Sequence, residues 1–399
     1  MALDLSTLAQ PADTKIVLIV LDGLGGYADA DRGTELEEAV TPNLDRLAGE
    51  GSVGLVEPVG PGITPGSGPG HLALFGYDPF EYELGRGALS AAGLDVELKP
   101  GDVAARGNLA TLDADGNVTD RRAGRIPDDE AAEVVQRLRE GVAIPGVEVL
   151  LVPEAQHRVL VVLRGDGLDP HVSDTDPQTT GVPPLPPVAA RPAAERTTEV
   201  VATLDAQVRK LLADRPTANA LLLRGFDSHR ELPSLRQRHG LTPAAVAIYP
   251  MYRGIARLVG MEVLPRAVDL DGQVALLGEH WDRFDYFFVH HKPTDSAGED
   301  GDFARKVAAI EALDAAVPAV RDLGPDVVVV TGDHATPTQM AAHSWHPVPA
   351  LMWGGLVGRD EVDRFGERWC PAGALGRRPT RDLMPLALAA AGRLAKYGA

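Results

Sequence analysis

The chain's most concentrated chemistry is Thr331-Gly332-Asp333-His334, where a carboxylate and an imidazole follow directly on the apolar run Val327-Val328-Val329-Val330. A strand that ends in two metal-competent side chains marks a site, because in open α/β sheets ligands gather outside the carboxyl ends of the strands. The same arrangement recurs where Ile16 to Leu21 runs into Asp22, and where the strand from Tyr286 runs on to Asp295. Asp295 and Glu299 are four residues apart, past that strand and before a long periodic segment, so both can turn oxygen donors toward one ion. His343 follows His334 by nine residues. Carboxylate and imidazole donors suit Mn²⁺, Zn²⁺ or Co²⁺ better than Mg²⁺ alone, and the inventory can serve two ions.

Ser67 lies in Thr64-Pro65-Gly66-Ser67-Gly68-Pro69-Gly70-His71, where glycines let the backbone approach a ligand and Pro69 suits a first helical turn. A hydroxyl there faces free N–H groups and the positive end of a helix dipole, the surroundings an attacking oxygen needs beside an anionic group. Structural alternatives stand next to each of these readings. Ser67 could simply cap its helix, Asp22 could close a turn, and Asp300 and Asp302 could form a helix amino-terminal charge cluster. His71, one turn beyond Ser67, reads as a structural histidine rather than a ligand.

These residues need elements to hold them. Strands are expected at Lys15 to Leu21, Asp285 to Val289 and Asp326 to Val330, and Thr41-Pro42 signals a helix start. Phe303, Val307, Ile310, Leu313, Val317 and Val320 recur at spacings of three and four, which predicts a helix with one buried face. A helix near Thr198 to Ala213, a strand from Asn219 to Leu223 and a helix from Pro243 to Val259 are also expected. Between 94 and 187 the character changes to short strand-like runs such as Val159 to Leu163, turn signals at Asp115-Gly116-Asn117 and Asp166-Gly167, and one helix around Glu130 to Arg139. That stretch reads as an inserted α+β domain with Pro183 to Pro187 as a stiff exit linker, leaving 1–93 and 188–399 as the core.

With 399 residues, 44% of them hydrophobic, the chain can bury a large core. A formal charge of −19 argues against nucleic acid, whose phosphates require a basic surface, so an anionic substrate must be held by local cations. Cys370 is the sole cysteine, which excludes an internal disulfide. No apolar run reaches the roughly 18 residues of a membrane span, and Met1 to Thr14 lacks signal-peptide character, so a cytoplasmic protein without a membrane partner is expected. The sequence leaves monomer and homo-oligomer equally open.

The combined motifs resemble the archaeal-type 2,3-bisphosphoglycerate-independent phosphoglycerate mutases of the alkaline phosphatase superfamily. The resemblance runs through Leu21-Asp22-Gly23, Thr41 to Asp45, Ile63 to Ser67, His71 to Pro79, Gly85-Arg86-Gly87, Asp120 to Arg125 and His157-Arg158. It continues through Val172 to Pro177, Lys292 to Asp302, Thr331 to His334 and His343 to Pro349. It implies an α/β fold with an alkaline-phosphatase-like three-layer core around a mostly parallel sheet, and an inserted α+β lid domain. It also implies interconversion of 3-phosphoglycerate and 2-phosphoglycerate, through a phosphoserine, with two divalent metal ions, Mn²⁺ first and Zn²⁺, Co²⁺ or Mg²⁺ as alternatives. Ser67 would be the nucleophile and would share one ion with Asp22, Asp333 and His334, while Asp295, Glu299 and His343 would hold the other. The superfamily pattern carries His where this chain has the harder, anionic Glu299, and a polar residue where it has Gly68.

In the insert, Arg121, Arg122, Arg125 and Arg158 offer planar guanidinium forks to phosphate or carboxylate, and Lys292 is expected to contact phosphate or steady a leaving alkoxide. A lid hinged near Leu94 and Pro187 would bring the basic residues to the metal edge and keep water out. Two other functions remain compatible with these residues: a metal-dependent phosphatase or phosphotransferase acting on another small metabolite, and a binding module that has lost catalysis.

Overall fold

The valine, isoleucine and phenylalanine runs become strands because branched and aromatic side chains fit a pleated surface covered on both sides. The computed structural model describes residues 5–82, 84–229 and 232–398. Among them the strands are Ile16–Leu21 (β1), Ser52–Glu57 (β2), Val103–Leu112 (β3), Val118–Asp120 (β4), Glu148–Ala155 (β5), Arg158–Arg164 (β6) and Ala220–Ser228 (β7). Pro243–Val246 (β8), Glu262–Val263 (β9), Tyr286–His291 (β10), Val327–Thr331 (β11), Val348–Gly354 (β12) and Gly376–Pro379 (β13) follow. The chain divides into two compact units, 1–83 with 232–399, and 84–231.

The larger unit carries an eight-stranded sheet in the order β13-β2-β12-β11-β1-β10-β8-β9. Only the pairings of β12 with β11 and with β2 are antiparallel, so the sheet is mostly parallel. β1 is central and pairs in register with both neighbours, Ile16 opposite Tyr286 and Val327. The carboxyl ends of β1, β10 and β11 therefore emerge side by side, which is what puts Asp22, the residues after His291, and Asp333 at one edge.

Helices cover both faces. The helix Phe303–Asp322 packs with Pro42–Glu50, Leu270–Glu279 and Pro293–Glu299, while Ser67–Leu74 packs with Pro250–Leu258. Successive residues of β10 show that the two groups lie on opposite faces: His291 Nε2 is bonded to the Ala309 carbonyl at 3.0 Å, and the ring of His290 stacks on Tyr252. The Pro243 to Val259 segment is not one helix. Pro243–Val246 pairs with β10 as a strand, and the helix starts only at Pro250, where proline suits the first turn.

The smaller unit is an antiparallel sheet centred on β3, which pairs with β4, β6 and β7, while β5 pairs with β6. Helices Asp128–Gly141 and Glu195–Leu211 bury Val134, Val135, Leu138, Val200, Val201, Leu204 and Val208 against Leu109, Val159, Val161, Leu221 and Leu223. On the other face the helix Arg86–Gly93 sets Ala88 and Ala91 against Ala104, Leu160 and Val162. This unit thus extends past the expected limits of 94 and 187. The strand Ala220–Ser228 completes its sheet and the helix Glu195–Leu211 completes its core, although both come after the proline run. That run does not leave the unit as a linker; Leu185 N donates to the Thr175 carbonyl and Ser173 N to that of Val188, both at 2.9 Å. Among the described residues no helix is long and apolar enough to cross a membrane.

Candidate active site

At the edge where β1, β10 and β11 end, two sets of donors converge: Asp22, Asp333 and His334, and Asp295, His334 and His343. Within each set the donor atoms lie within 4.8 Å of one another. Asp22, Asp333 and His334 are fully buried and Asp295 nearly so. His334 Nε2 lies 3.3 Å from Asp22 Oδ1 and 3.3 Å from Asp333 Oδ2. Ser67, the first residue of its helix, places Oγ 3.3 Å from the same Nε2.

The backbone has to pass very close to these groups. Gly23 adopts φ +63°, and a Cβ there would sit 2.5 Å from Thr336 Oγ1 and 2.8 Å from Asp295 Oδ1. Gly70, in the helix that presents Ser67, leaves room for the Asp333 carbonyl oxygen, which a Cβ would approach to 2.2 Å. His71, which the sequence marked as structural, supports the site from behind. Its Nδ1 is 2.8 Å from the Ser67 carbonyl and 3.1 Å from Asp333 Oδ2.

Hydrogen bonds fix which nitrogen of each imidazole is free. Thr336 Oγ1 donates to Asp295 Oδ1 at 2.7 Å, so its remaining role toward His334 Nδ1, 3.0 Å away, is as acceptor. His343 Nδ1 has the Pro65 carbonyl at 3.0 Å as acceptor. Each ring thus donates from Nδ1 and turns Nε2 toward the carboxylates, and a metal ion at His334 would take the place of the proton that those carboxylates hold on Nε2. The two rings stack with centroids 3.7 Å apart.

The electrostatics match this donor set. Burial opposes ionisation of Asp22, but Lys292, then His290 and His334, outweigh it and hold the carboxyl well below its ordinary range. For Asp333, burial and the Asp22 charge are outweighed by His334 and His71, again lowering it. Burial disfavours a charged His334, yet Asp333, Asp22 and Asp295 push it up to about 9. Burial likewise opposes a charged Lys292, and Asp22 and Asp295 overcome it and raise its pKa, with Nζ 3.1 Å and 2.5 Å from their Oδ2 atoms. Even so, Asp22 Oδ1 and Oδ2 and Asp333 Oδ2 are buried without a well-directed hydrogen bond. Buried carboxylate oxygens left in that state are costly unless a cation completes them, so the residues fit a divalent ion.

The expected residues differ in how closely they gather. Asp22, Ser67, Lys292, Asp295, Asp333, His334 and His343 come together. Glu299, the last residue of the helix Pro293–Glu299, stays at the margin: its side chain is 56% exposed and Oε1 is 4.0 Å from His343 Nε2. Asp302 caps the helix Phe303–Asp322 and Asp300 pairs with Arg305, the roles their charge-cluster alternative describes.

In the smaller unit burial, reinforced by the charges of Arg158, Arg122 and Arg125, holds the pKa of His157 down to about 4. Arg121 is separately engaged, with two hydrogen bonds of 2.8 and 2.7 Å to Asp176. Arg224 forms a further cationic group there with Arg86 and Arg106; burial, reinforced by the charge of Arg86, lowers it to about 10.

Sequence reasoning missed Thr336, His290, Tyr252 and Arg224. His290 was visible as one of two histidines at a strand end, and the two-residue strand period sends it to the face opposite His291. Its Nε2 lies 3.2 Å from Asp22 Oδ2. Thr336 and Tyr252 gave no comparable signal, being neutral residues whose contacts with Asp295 and Lys292 come from distant parts of the chain.

Comparison with known proteins places similar sequences and folds over nearly the whole chain. The sequence pattern of the family described as 2,3-bisphosphoglycerate-independent phosphoglycerate mutase matches residues 48–218. A probable 2,3-bisphosphoglycerate-independent phosphoglycerate mutase from Thermus thermophilus is 53% identical, covering 99% of this chain and 98% of the relative. One from Deinococcus radiodurans is 49% identical, covering 98% of both. Among solved structures, the PH0037 protein from Pyrococcus horikoshii aligns with a TM-score of 0.83 at 28% identity, covering 97% of this chain and 99% of that one. A cofactor-independent phosphoglycerate mutase from Thermoplasma acidophilum aligns with a TM-score of 0.71 at 29% identity, covering 95% of this chain and all of the other.

Proposed function

The chain belongs to the 2,3-bisphosphoglycerate-independent phosphoglycerate mutases, isomerases that interconvert 3-phosphoglycerate and 2-phosphoglycerate, and we propose that it does so by passing the phosphoryl group through Ser67. The observation that carries this reading is Ser67 at the start of its helix, beside the donor set Asp22, Asp333 and His334. Two divalent ions, Mn²⁺ foremost, would be bound here, one by Asp22, Asp333, His334 and Ser67 and the other by Asp295, His343 and Glu299. When bound, such ions lower the pKa of a coordinated hydroxyl and neutralise charge on phosphoryl oxygens.

The protein's own groups do the rest. As Ser67 Oγ forms its bond to phosphorus, the bond from phosphorus to the glycerate 3-oxygen breaks, and the proton lost by the serine ends on that oxygen. The positive amino end of the helix favours the negative charge carried by the phosphoserine. Lys292, kept charged by Asp22 and Asp295, is suited to donate to a phosphoryl or leaving oxygen. Glycerate then turns, its 2-oxygen takes the phosphoryl group, and Ser67 recovers a proton from that hydroxyl. Water must be excluded meanwhile, or hydrolysis would release phosphate.

Guanidinium groups of the smaller unit are suited to grip anions. Arg122, Arg125 and Arg158 are suited to phosphate or carboxylate, and Arg121 takes part through its pair with Asp176.

Incubating the Mn²⁺-loaded protein with 3-phosphoglycerate, and following both 2-phosphoglycerate and free phosphate, tests this function. Conversion with little phosphate release is expected. Phosphate release without conversion would instead identify a phosphatase. Glu299→Gln should weaken binding of one of two Mn²⁺ ions, and unchanged binding of both would remove Glu299 from the ligand set.

A further inference from the structure

Tyr252 sits in the helix Pro250–Leu258, fully buried beneath the site. Its ring is clamped: it stacks on His290 with centroids 3.6 Å apart and 24° between planes, and lies 4.7 Å from the ring of His71. The phenol oxygen is 3.2 Å from Lys292 Nζ, which donates to it.

Lys292 has three N–H bonds and three near partners, Asp22 Oδ2, Asp295 Oδ2 and the Tyr252 hydroxyl. Two of the three are carboxylates assigned above to cations, and a divalent ion competes with an ammonium group for the same oxygens. The phenol is the one neutral partner, and it alone keeps its hold on Lys292 when the carboxylates are engaged. We propose that Tyr252 is a positioning residue for the phosphoryl transfer, its clamped hydroxyl accepting from Lys292 so that the ammonium group stays in place at the site. The inference rests on the Ser67 reading given above. Groups aligned in this way contribute through orientation, so loss of the hydroxyl acts on turnover more than on binding.

Tyr252→Phe keeps the ring and its stacking and removes only the hydroxyl. With the Mn²⁺-loaded full chain and 3-phosphoglycerate, kcat should fall at least about tenfold while KM stays within about twofold. Bound Mn²⁺ and melting temperature should match the wild type. Tyr252→Leu, which also loses the stacking, should add a loss of stability but little further loss of kcat. A Tyr252→Phe kcat within about twofold of wild type would overturn the proposal. So would a kcat loss that tracks a parallel loss of Mn²⁺ or of melting temperature, since that marks a merely structural tyrosine. An inactive Mn²⁺-loaded wild type would instead defeat the mutase reading beneath it.

Discussion

At the residue scale, the site depends on neutral groups that fix charged ones. Thr336 donates to Asp295 and accepts from His334, so one hydroxyl sets both a carboxylate and an imidazole. Thr336→Val keeps the shape and removes the link; Mn²⁺ affinity should fall about 10–100-fold, measured by equilibrium titration of the metal-free protein. Ser67→Ala should weaken one of the two Mn²⁺ ions by losing a ligand oxygen and, at saturating Mn²⁺, still lose mutase turnover by on the order of 10⁴-fold or more, read as 2-phosphoglycerate formed. Residual turnover close to wild type would contradict a nucleophilic serine. The charged donors were legible only as a set: an Asp after a strand is more often a turn or a cap, and Asp22 gained weight from Asp333, His334 and Asp295 at other strand ends. Thr336 and Tyr252 were not, because a threonine or a tyrosine is common in any core and only the fold brings them to Asp295 and Lys292.

At the element scale, three strand ends and one helix start must meet within a few ångströms. The apolar runs of β1, β10 and β11 announced the strands, and the glycine-rich stretch before His71 announced the helix of Ser67. Their register could not be read, because it comes from pairing between segments some 270 and 311 residues apart (Ile16 with Tyr286 and with Val327). The segment Pro243 to Val259 was misread for a local reason: a short buried strand of alanine and valine followed by a helix has no periodicity to mark the break at Pro250. Gly70 holds the closest approach. Gly70→Ala would press a methyl group on the Asp333 carbonyl, costing about 1–3 kcal/mol in urea unfolding and weakening Mn²⁺ binding as well. An alanine variant with unchanged Mn²⁺ affinity would show that the helix can shift without disturbing the ligands.

At the scale of the whole molecule, the chain carries a charge of −19 and still handles an anionic substrate, which requires its cations to be concentrated locally. The arginine groups of the smaller unit are the cations proposed for that need, and they were partly legible: Arg122, Arg125 and Arg158 from their motifs, Arg224 only once its strand was seen to pair with β3. The limits of that unit were hidden because its last helix and strand lie beyond a proline run that ordinarily signals an exit.

Buried neutral histidines in both units also give stability a pH dependence. Burial, with Arg158 at His157 and Arg238 at His239, lowers each to about 4, whereas an unfolded histidine titrates near 6.5. Between those values the unfolded chain binds the protons and the folded one does not, so the contribution of these two histidines is complete above about pH 6.5 and falls as pH drops toward 4. Urea midpoints across that range should show the decline, and a His157→Gln, His239→Gln double variant should reduce it, leaving the part due to His291, which burial also lowers to about 4.

The account rests on a phosphoryl group carried by Ser67. Rapid acid quenching of the Mn²⁺-loaded protein during turnover of 3-phosphoglycerate, followed by peptide mass spectrometry, tests it most directly. The predicted result is one phosphoryl group on the peptide containing Ser67, absent from Ser67→Ala and appearing fast enough to account for the formation of 2-phosphoglycerate. Full mutase turnover with that peptide unmodified throughout would contradict it.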